Sequence, residues 1–260
     1  MQRLTRQHVQ DAIRNQVGRL SLKGADLSQA DLSGLDIKNL DLTNVVLTNA
    51  NLSNAKFHRV DFTGTCLQSA IATEAGFISC EFVRSSLCAV DLTEADLSKS
   101  KVQGCDFSDA NLTKANLAGL SFSAGMNVFL SRWKSTLFTR ATLHEAKLGG
   151  CRFDGCDFAA ADLKGANLLG GYLTRAANFQ KANLANASLR DVQGKRSNFA
   201  GASLKGAVLR GADLDEADFR GADLEGADMR ETTLRGARYN KMTTWPAGFV
   251  PAAAGATYAD

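Results

Sequence analysis

The chain has 260 residues, 45% of them hydrophobic, with 30 Lys and Arg against 27 Asp and Glu for a net charge of +3. So mild an excess does not by itself predict nucleic-acid binding, and no apolar run approaches the ~20 residues of a membrane span. The N-terminus lacks the apolar stretch of a secretory signal, and six cysteines without a CxxC pair fit free thiols, so the expected compartment is the cytoplasm.

In chain order, the first expected element is a short amphipathic helix. Leu4, Val9, Ala12, Ile13 and Val17 lie near helical spacing, with Thr5 as N-cap and Gly18 as the stop. The spacing predicts a helix over 4–17 that caps the adjoining segment of the chain. Its apolar face is small and lacks an aromatic anchor, which argues against a membrane-surface helix.

From Leu22 a large apolar residue recurs at every fifth position, through Leu27, Leu32 and Ile37 as far as Phe122. The frame slips by one residue near 123–127 and resumes from Val128 to Leu173. It slips again near 174–178 and resumes from Phe179 to Tyr239. The blocks hold 21, 10 and 13 units, 44 in all, with Ala72 and Gly194 as weak members. Two residues before each centre sits a small residue, as at Ala25, Ala50, Cys105, Ala161 and Ala222, and Asp or Asn usually stands between them. The unit is A-[DN]-[LF]-x-x.

Neither an α-helix nor a single strand repeats every five residues. A short β-like side that turns a corner at its end does. The centre and the small residue then share parity and point inward, while Asp and Asn bond backbone N–H groups at the corner. Four sides make a coil of 20 residues, and coils stack through parallel ladders. The 44 units give about 11 coils and a rod about 53 Å long at roughly 4.8 Å per coil. Prolines would break such ladders, and the only two, Pro246 and Pro251, come after the last repeat. The tail NKMTTWPAGFVPAAAGATY brings Trp245, Phe249 and Tyr258 and is expected to fold over the last coil. The expected domains are a helical cap at 1–21, the repeats at 22–241 and a C-terminal cap at 242–260.

The A-[DN]-[LF]-x-x pattern resembles the pentapeptide-repeat family over about 22–241, and YNKMTTWPAGF resembles the segment that often comes after the repeats in bacterial members. The resemblance implies an all-β solenoid, a right-handed quadrilateral parallel β-helix. It also implies a function in binding, since the best understood members protect DNA gyrase and topoisomerase IV by imitating duplex DNA. This chain departs from that subset. Its net charge is positive, its slips are single residues rather than projecting loops, and it has no apolar C-terminal helix.

Motifs for chemistry are absent from the sequence. There is no nucleophile elbow, phosphate-binding loop or dinucleotide fingerprint. His8, His58 and His144 are far apart and show no converging metal ligands; His144-Glu145 has no neighbouring nucleophile. Cys80, Cys105, Cys151 and Cys156 occupy the small inward slot, where Cys behaves as an apolar residue. Cys66 and Cys88 face outward, with Cys88 a candidate reactive thiol. The expectation is a protein that is not an enzyme, with no cofactor, metal or small-molecule substrate.

Function in a solenoid sits on its outward positions. On the third of four faces, the positions around Leu112, Trp133, Phe153, Leu173 and Gly194 carry Lys114, Arg132, Lys134, Arg152, Arg175, Lys195 and Arg196, with Asp154 the one acid. Glu74, Asp91 and Glu94 lie before this stripe, and Asp213, Asp215 and Glu216 after it. A basic stripe suits an acidic partner. It is expected to hold no aromatic residue that could stack bases, which argues against single-stranded nucleic acid. Phe129, Leu130 and Leu169 form a candidate apolar patch on the second face. The expected function is a non-catalytic interaction rod that binds a protein partner. A second copy of the chain is a further candidate partner, and a DNA-mimicking topoisomerase modulator is the alternative, supported by the acids at 91–94 and 213–228.

Overall fold

The computed structural model describes residues 3–14, 21–38, 40–122 and 133–260, which fall into two compact units, Met1–Arg132 and Trp133–Asp260. Each unit is a right-handed β-helix solenoid whose parallel ladder joins residues one coil apart. In the first, β1 (Asp36–Lys38), β2 (Lys56–His58) and β3 (Gly76–Ile78) pair in that order with Ile37, Phe57 and Phe77 in register. The strands β4 (Glu81–Val83), β5 (Lys101–Gln103) and β6 (Ser121–Phe122) pair in the same way. Elsewhere single bridges carry the step, so that Asp26, Val46, Cys66, Ser86 and Asp106 pair in succession. The step is 20 residues, four five-residue units, as the period requires.

The second unit shows how the ladder absorbs a frame slip. Leu137 pairs with Asp157 at the ordinary step. The step then becomes 21 for Asp157–Asn178, Asp162–Asn183, Asn167–Ser188 and Tyr172–Gln193, and returns to 20 at Asn178–Asn198. The extra residue is stored in one corner, where Arg175 and Ala176 both have left-handed φ, +58° and +57°. Across it, Phe158 still stacks on Phe179 at 4.7 Å between ring centroids. The order of the faces is therefore kept through 174–178. The slip expected at 123–127 lies outside the described residues.

Most corners share one construction. The residue two after the centre takes positive φ, and the next N–H donates back to the centre's carbonyl, as Ala25 does to Leu22 at 2.9 Å; after Phe77 the Cys80 N–H donates instead to Ser100 Oγ at 2.9 Å. Glycine fills many of these corners, but 26 non-glycine residues among those described also adopt φ between +52° and +64°. Each costs about 1–2 kcal/mol relative to a right-handed backbone, a strain that persists because ladder bonds on both sides fix the chain. The Asp or Asn before the centre helps: Asp26 Oδ1 accepts from the Ser28 N–H at 2.9 Å, and Asp61, Asn111 and Asp157 do the same with Thr63, Thr113 and Ala159.

The core is built of inward columns. Phe57 stacks on Phe77 at 5.0 Å and Phe62 on Phe82 at 4.8 Å. In the second unit Phe138, Phe158, Phe179, Phe199 and Phe219 form one column with centroid separations of 4.5, 4.7, 5.1 and 5.3 Å. The small slot beside them is mostly Ala. Where it is polar, the group is bonded: Thr65 Oγ1 donates to the Leu42 carbonyl at 2.9 Å and Ser85 Oγ to that of Phe62 at 2.7 Å. Gly194 leaves no hole, because Leu214, Val192 and Leu173 lean into its place.

The N-terminal helix α1 covers Arg6–Arg14, within the expected 4–17; residues 15–20 are outside the described set. Thr5 is its N-cap, 2.8 Å from His8 Nδ1 through its hydroxyl, and its N–H donates to the same nitrogen at 3.1 Å. His8 thus does the work of the Glu in a capping box. Val9 is buried, the Leu4 N–H donates to the Asp26 carbonyl at 2.7 Å, and Arg6 donates to the Ser33 carbonyl at 2.8 Å, so α1 lies on the first coil. In the tail, Thr244 bridges Asp223, and β8 (Thr257–Tyr258) pairs with β7 (Arg238–Tyr239). Trp245 packs on Phe219, Tyr239 and Phe249 at 5.9, 5.6 and 5.2 Å. Tyr258 meets Tyr239 edge-on while remaining half exposed.

Candidate partner-binding surface

In the second unit the expected stripe is real as a stack. Trp133, Phe153, Leu173 and Gly194 succeed one another through Trp133 N–H to Arg152 O, Phe153 N–H to Tyr172 O, Leu173 N–H to Gln193 O and Gly194 N–H to Asp213 O. Lys134, Arg152, Arg175, Lys195 and Arg196 therefore project from successive rungs of one face. Lys114 belongs to the first unit. Arg132, Phe129 and Leu130 lie outside the described residues. Leu169 is 43% exposed, as expected of an outward position.

The stack is not uniformly available. Lys114 Nζ is 2.6 Å from Glu94, Arg196 Nε is 2.7 Å from Glu216, and Lys195 Nζ is 3.8 Å from Asp215, which Arg235 also holds at 2.8 Å. Burial pushes the Asp215 carboxyl up, but bonds from the Arg235 side chain and N–H more than offset it and hold it below the ordinary range. The hydrogen bond from Arg196 likewise lowers Glu216. Arg152 reaches Asp154 in its own rung at 3.2 Å. Lys134 and Arg175 have no carboxylate within ion-pair distance among the described residues.

Contrary to expectation, an aromatic residue does lie in the stripe. Tyr172 is 42% exposed, bridges Gln193, and carries the Arg152 guanidinium 5.9 Å from its ring centre. Its position before Leu173 is the signal in the sequence, since that position is at least part-exposed in nearly all described units.

The charge pattern extends this contrast. Residues 133–192 hold eight basic and five acidic side chains, whereas 193–260 hold nine of each. In the later stretch the cations meet acids of their own or a neighbouring coil: Lys205 meets Asp223 and Glu225, Arg210 meets Glu231, Arg220 and Arg238 meet Asp218, and Arg230 meets Asp228. The bonds from Arg230 draw the Asp228 carboxyl down to about 2.

Cys80, Cys105, Cys151 and Cys156 are buried in the inward slot as expected, and burial raises all four thiols, Cys80, Cys151 and Cys156 to about 12. Cys88 is half-buried, and burial raises its thiol too, so it is no activated nucleophile. Cys66 lies 3.3 Å from Thr48 Oγ1. His144 bonds through Nε2 to Asp162 rather than to Glu145. Among the described residues no His, Cys, Asp or Glu cluster has metal-binding geometry, and no helix is long and apolar enough to cross a membrane.

A family model for pentapeptide repeats matches residues 19–49, 37–71, 91–124, 136–175, 175–211 and 197–236. No curated protein sequence matches the chain. Among solved structures, HetL, a pentapeptide repeat protein involved in heterocyst differentiation regulation from the cyanobacterium Nostoc sp. strain PCC 7120, is 30% identical, with 84% of each chain covered and a TM-score of 0.44. QnrB1, a plasmid-mediated fluoroquinolone resistance protein, is 18% identical over 86% of this chain and 92% of its own, with a TM-score of 0.36. The pentapeptide repeat protein alr5209 from Nostoc is 28% identical over 49% of this chain and 86% of its own, with a TM-score of 0.24. With the family model matched over most of its length and its ladder stepping by four five-residue units, the chain belongs to the pentapeptide-repeat family.

Proposed function

We propose that the protein is a non-catalytic binding module of the cytoplasm that holds an acidic protein partner on one outer face of its second unit. Each unit is read as a four-sided tube, with α1 and the C-terminal tail sealing the exposed coils. The observation that carries the reading is the distribution of charge. The chain's entire excess of +3 resides in residues 133–192, and Lys134 and Arg175 have no acid within ion-pair distance among the described residues. Cations left without a partner on a rigid ladder attract an acidic surface at little ordering cost. The six thiols, all free, fit a reducing compartment.

The test is capture of partners from the native cell lysate with the wild-type protein and with a Lys134→Glu, Arg152→Glu, Arg175→Glu variant. A partner held by the first and lost by the second supports the reading, and one held equally by both removes this face from the account. Light scattering of the two proteins shows whether a second copy is that partner.

The DNA-mimicking reading is the lesser one. It needs an acidic face left without counter-charges, yet Asp215, Glu216, Asp218, Asp223, Glu225, Asp228 and Glu231 each sit in an ion pair. Protection of gyrase supercoiling from a quinolone would restore it.

A further inference from the structure

The rung-to-rung pairing leaves one corner of the second unit unlike the rest. Between the second and third faces the chain passes Gly149 and Gly150 in one coil, and Leu169, Gly170 and Gly171 in the next. In most units the position after the centre carries a side chain; at Gly149 it carries none. A Cβ there would meet only the Leu169 carbonyl at 3.4 Å and the Leu169 Cβ at 4.0 Å, and a Cβ at Gly170 would meet nothing within 4 Å. The outer backbone at Gly149 and Gly170 is therefore bare, whereas Gly171 lies in the buried inward slot, where a Cβ would meet the Leu168 carbonyl at 2.9 Å. The corner is bordered on one side by Leu169, 43% exposed, and on the other by Tyr172, 42% exposed. These are two of the few large apolar side chains that the second unit shows to solvent.

The surroundings of this corner are cationic. Arg152 stands over the Tyr172 ring, Lys147 sits in the rung that bridges Asn167, and Arg175 marks the next corner. Neither Lys147 nor Arg175 has a carboxylate within ion-pair distance among the described residues. An apolar spot flanked by Lys147 and Arg175, and by Arg152 whose one acid is Asp154 of its own rung, matches an apolar side chain flanked by acids, and the charge excess of this stretch has no counterpart within the unit. Geometry narrows the partner. Rungs are spaced about 4.8 Å apart, close to the roughly 5.4 Å rise of one helical turn. A helix lying along the face would present one acidic side chain per rung over several rungs.

We infer that the Gly149–Gly150 and Leu169–Gly170 corner receives an apolar side chain of an acidic amphipathic helix, whose carboxylates meet Lys147 on one side of the corner and Arg152 and Arg175, in successive rungs, on the other. The inference rests on the acidic-partner reading and adds an anchor to it.

The probe is a fluorescein-labelled helical peptide of about five turns, with Glu on every turn beside a row of Leu. A second peptide keeps the Glu and replaces the Leu row with Ser, and a duplex DNA of similar length is the third probe. The wild-type protein should bind the first peptide about tenfold tighter than the second. A Leu169→Ser, Tyr172→Ser variant should erase that preference. So should Gly149→Leu, which fills the corner at a position that accepts a side chain and removes nothing. Arg230→Glu, in the charge-paired stretch, should leave binding unchanged. Equal binding of the two peptides overturns the anchor, as does a preference that survives both corner variants. If equal binding is abolished by Arg152→Glu, Arg175→Glu, the cationic face stands without it. Failure of both peptides to bind, or tighter binding of the DNA, overturns the anchor and the acidic-partner reading together.

Discussion

Truncating Phe179 to Ala tests whether the inner column bears the stability of the second unit. The ring is fully buried and lies between two others, Phe158 at 4.7 Å and 2° and Phe199 at 5.1 Å and 9°. Losing most of an aromatic side chain from water-free packing costs about 3–5 kcal/mol when the site cannot collapse. Collapse is opposed here because neighbouring coils are pinned by ladder bonds on both sides, Phe179 N–H to Asn198 O at 2.7 Å and Asn178 N–H to Cys156 O at 2.9 Å. The two stacked contacts add about 0.5–1.5 kcal/mol each beyond area, so the expected loss lies near the upper end of that range. Phe179→Leu, which places the commonest centre residue there, should cost about 1–2 kcal/mol. The assay is urea denaturation monitored by far-ultraviolet circular dichroism, fitted for the shift in midpoint at constant slope. A loss below about 1 kcal/mol for Phe179→Ala would mean that the coils relax into the gap, and the picture of a rigid, column-filled solenoid would be wrong.

Further predictions concern the corners, the thiols and the acids. Ala160 holds a left-handed φ of +55°; Ala160→Gly should raise stability by about 0.5–1 kcal/mol as that strain is released, read as a higher melting temperature. In the folded protein at pH 8 a disulfide exchange reagent should label the half-buried Cys66 and Cys88 slowly and the buried Cys80, Cys105, Cys151 and Cys156 only on unfolding; labelling of all six in the folded protein would contradict the inward slot. Asp228 titrates near 2 in the folded chain because Arg230 bonds it. A depressed carboxyl stabilises the fold above its unfolded value of about 3.9 and loses that contribution as pH falls toward 2. Carbon-detected NMR titration should show the low value, and Arg230→Ala should raise it toward the ordinary range.

Much of the fold is legible in the sequence because a five-residue period is a strong, redundant signal. Its inward parity correctly places Cys80, Cys105, Cys151 and Cys156 as well as Leu and Phe, and the 174–178 slip falls in a corner. The left-handed residue two after each centre escapes the pattern when corners are credited to Asp and Asn alone, although the many glycines there are its trace. The surface is less legible. Whether a cation is free depends on an acid one coil away, so Lys195 and Lys134 look alike in sequence, yet Lys195 sits near Asp215 and Lys134 within ion-pair distance of no described acid. His8 as a capping acceptor also escapes, because the capping-box signature anticipates Glu or Gln at that position. Tyr172 is easily passed over because aromatic residues in this pattern are looked for at the centres.

The corner that stores Arg175 and Ala176 shows what this architecture permits. An added residue lengthens one coil and leaves the rings above and below in contact. Chain length and core packing are thus separable variables at such a point. In a strand of a flat sheet the same insertion would turn every later side chain to the wrong side. Here it alters only the outline that a neighbouring molecule meets. Protein surfaces of this kind can be rewritten, residue by residue, without renegotiating the interior.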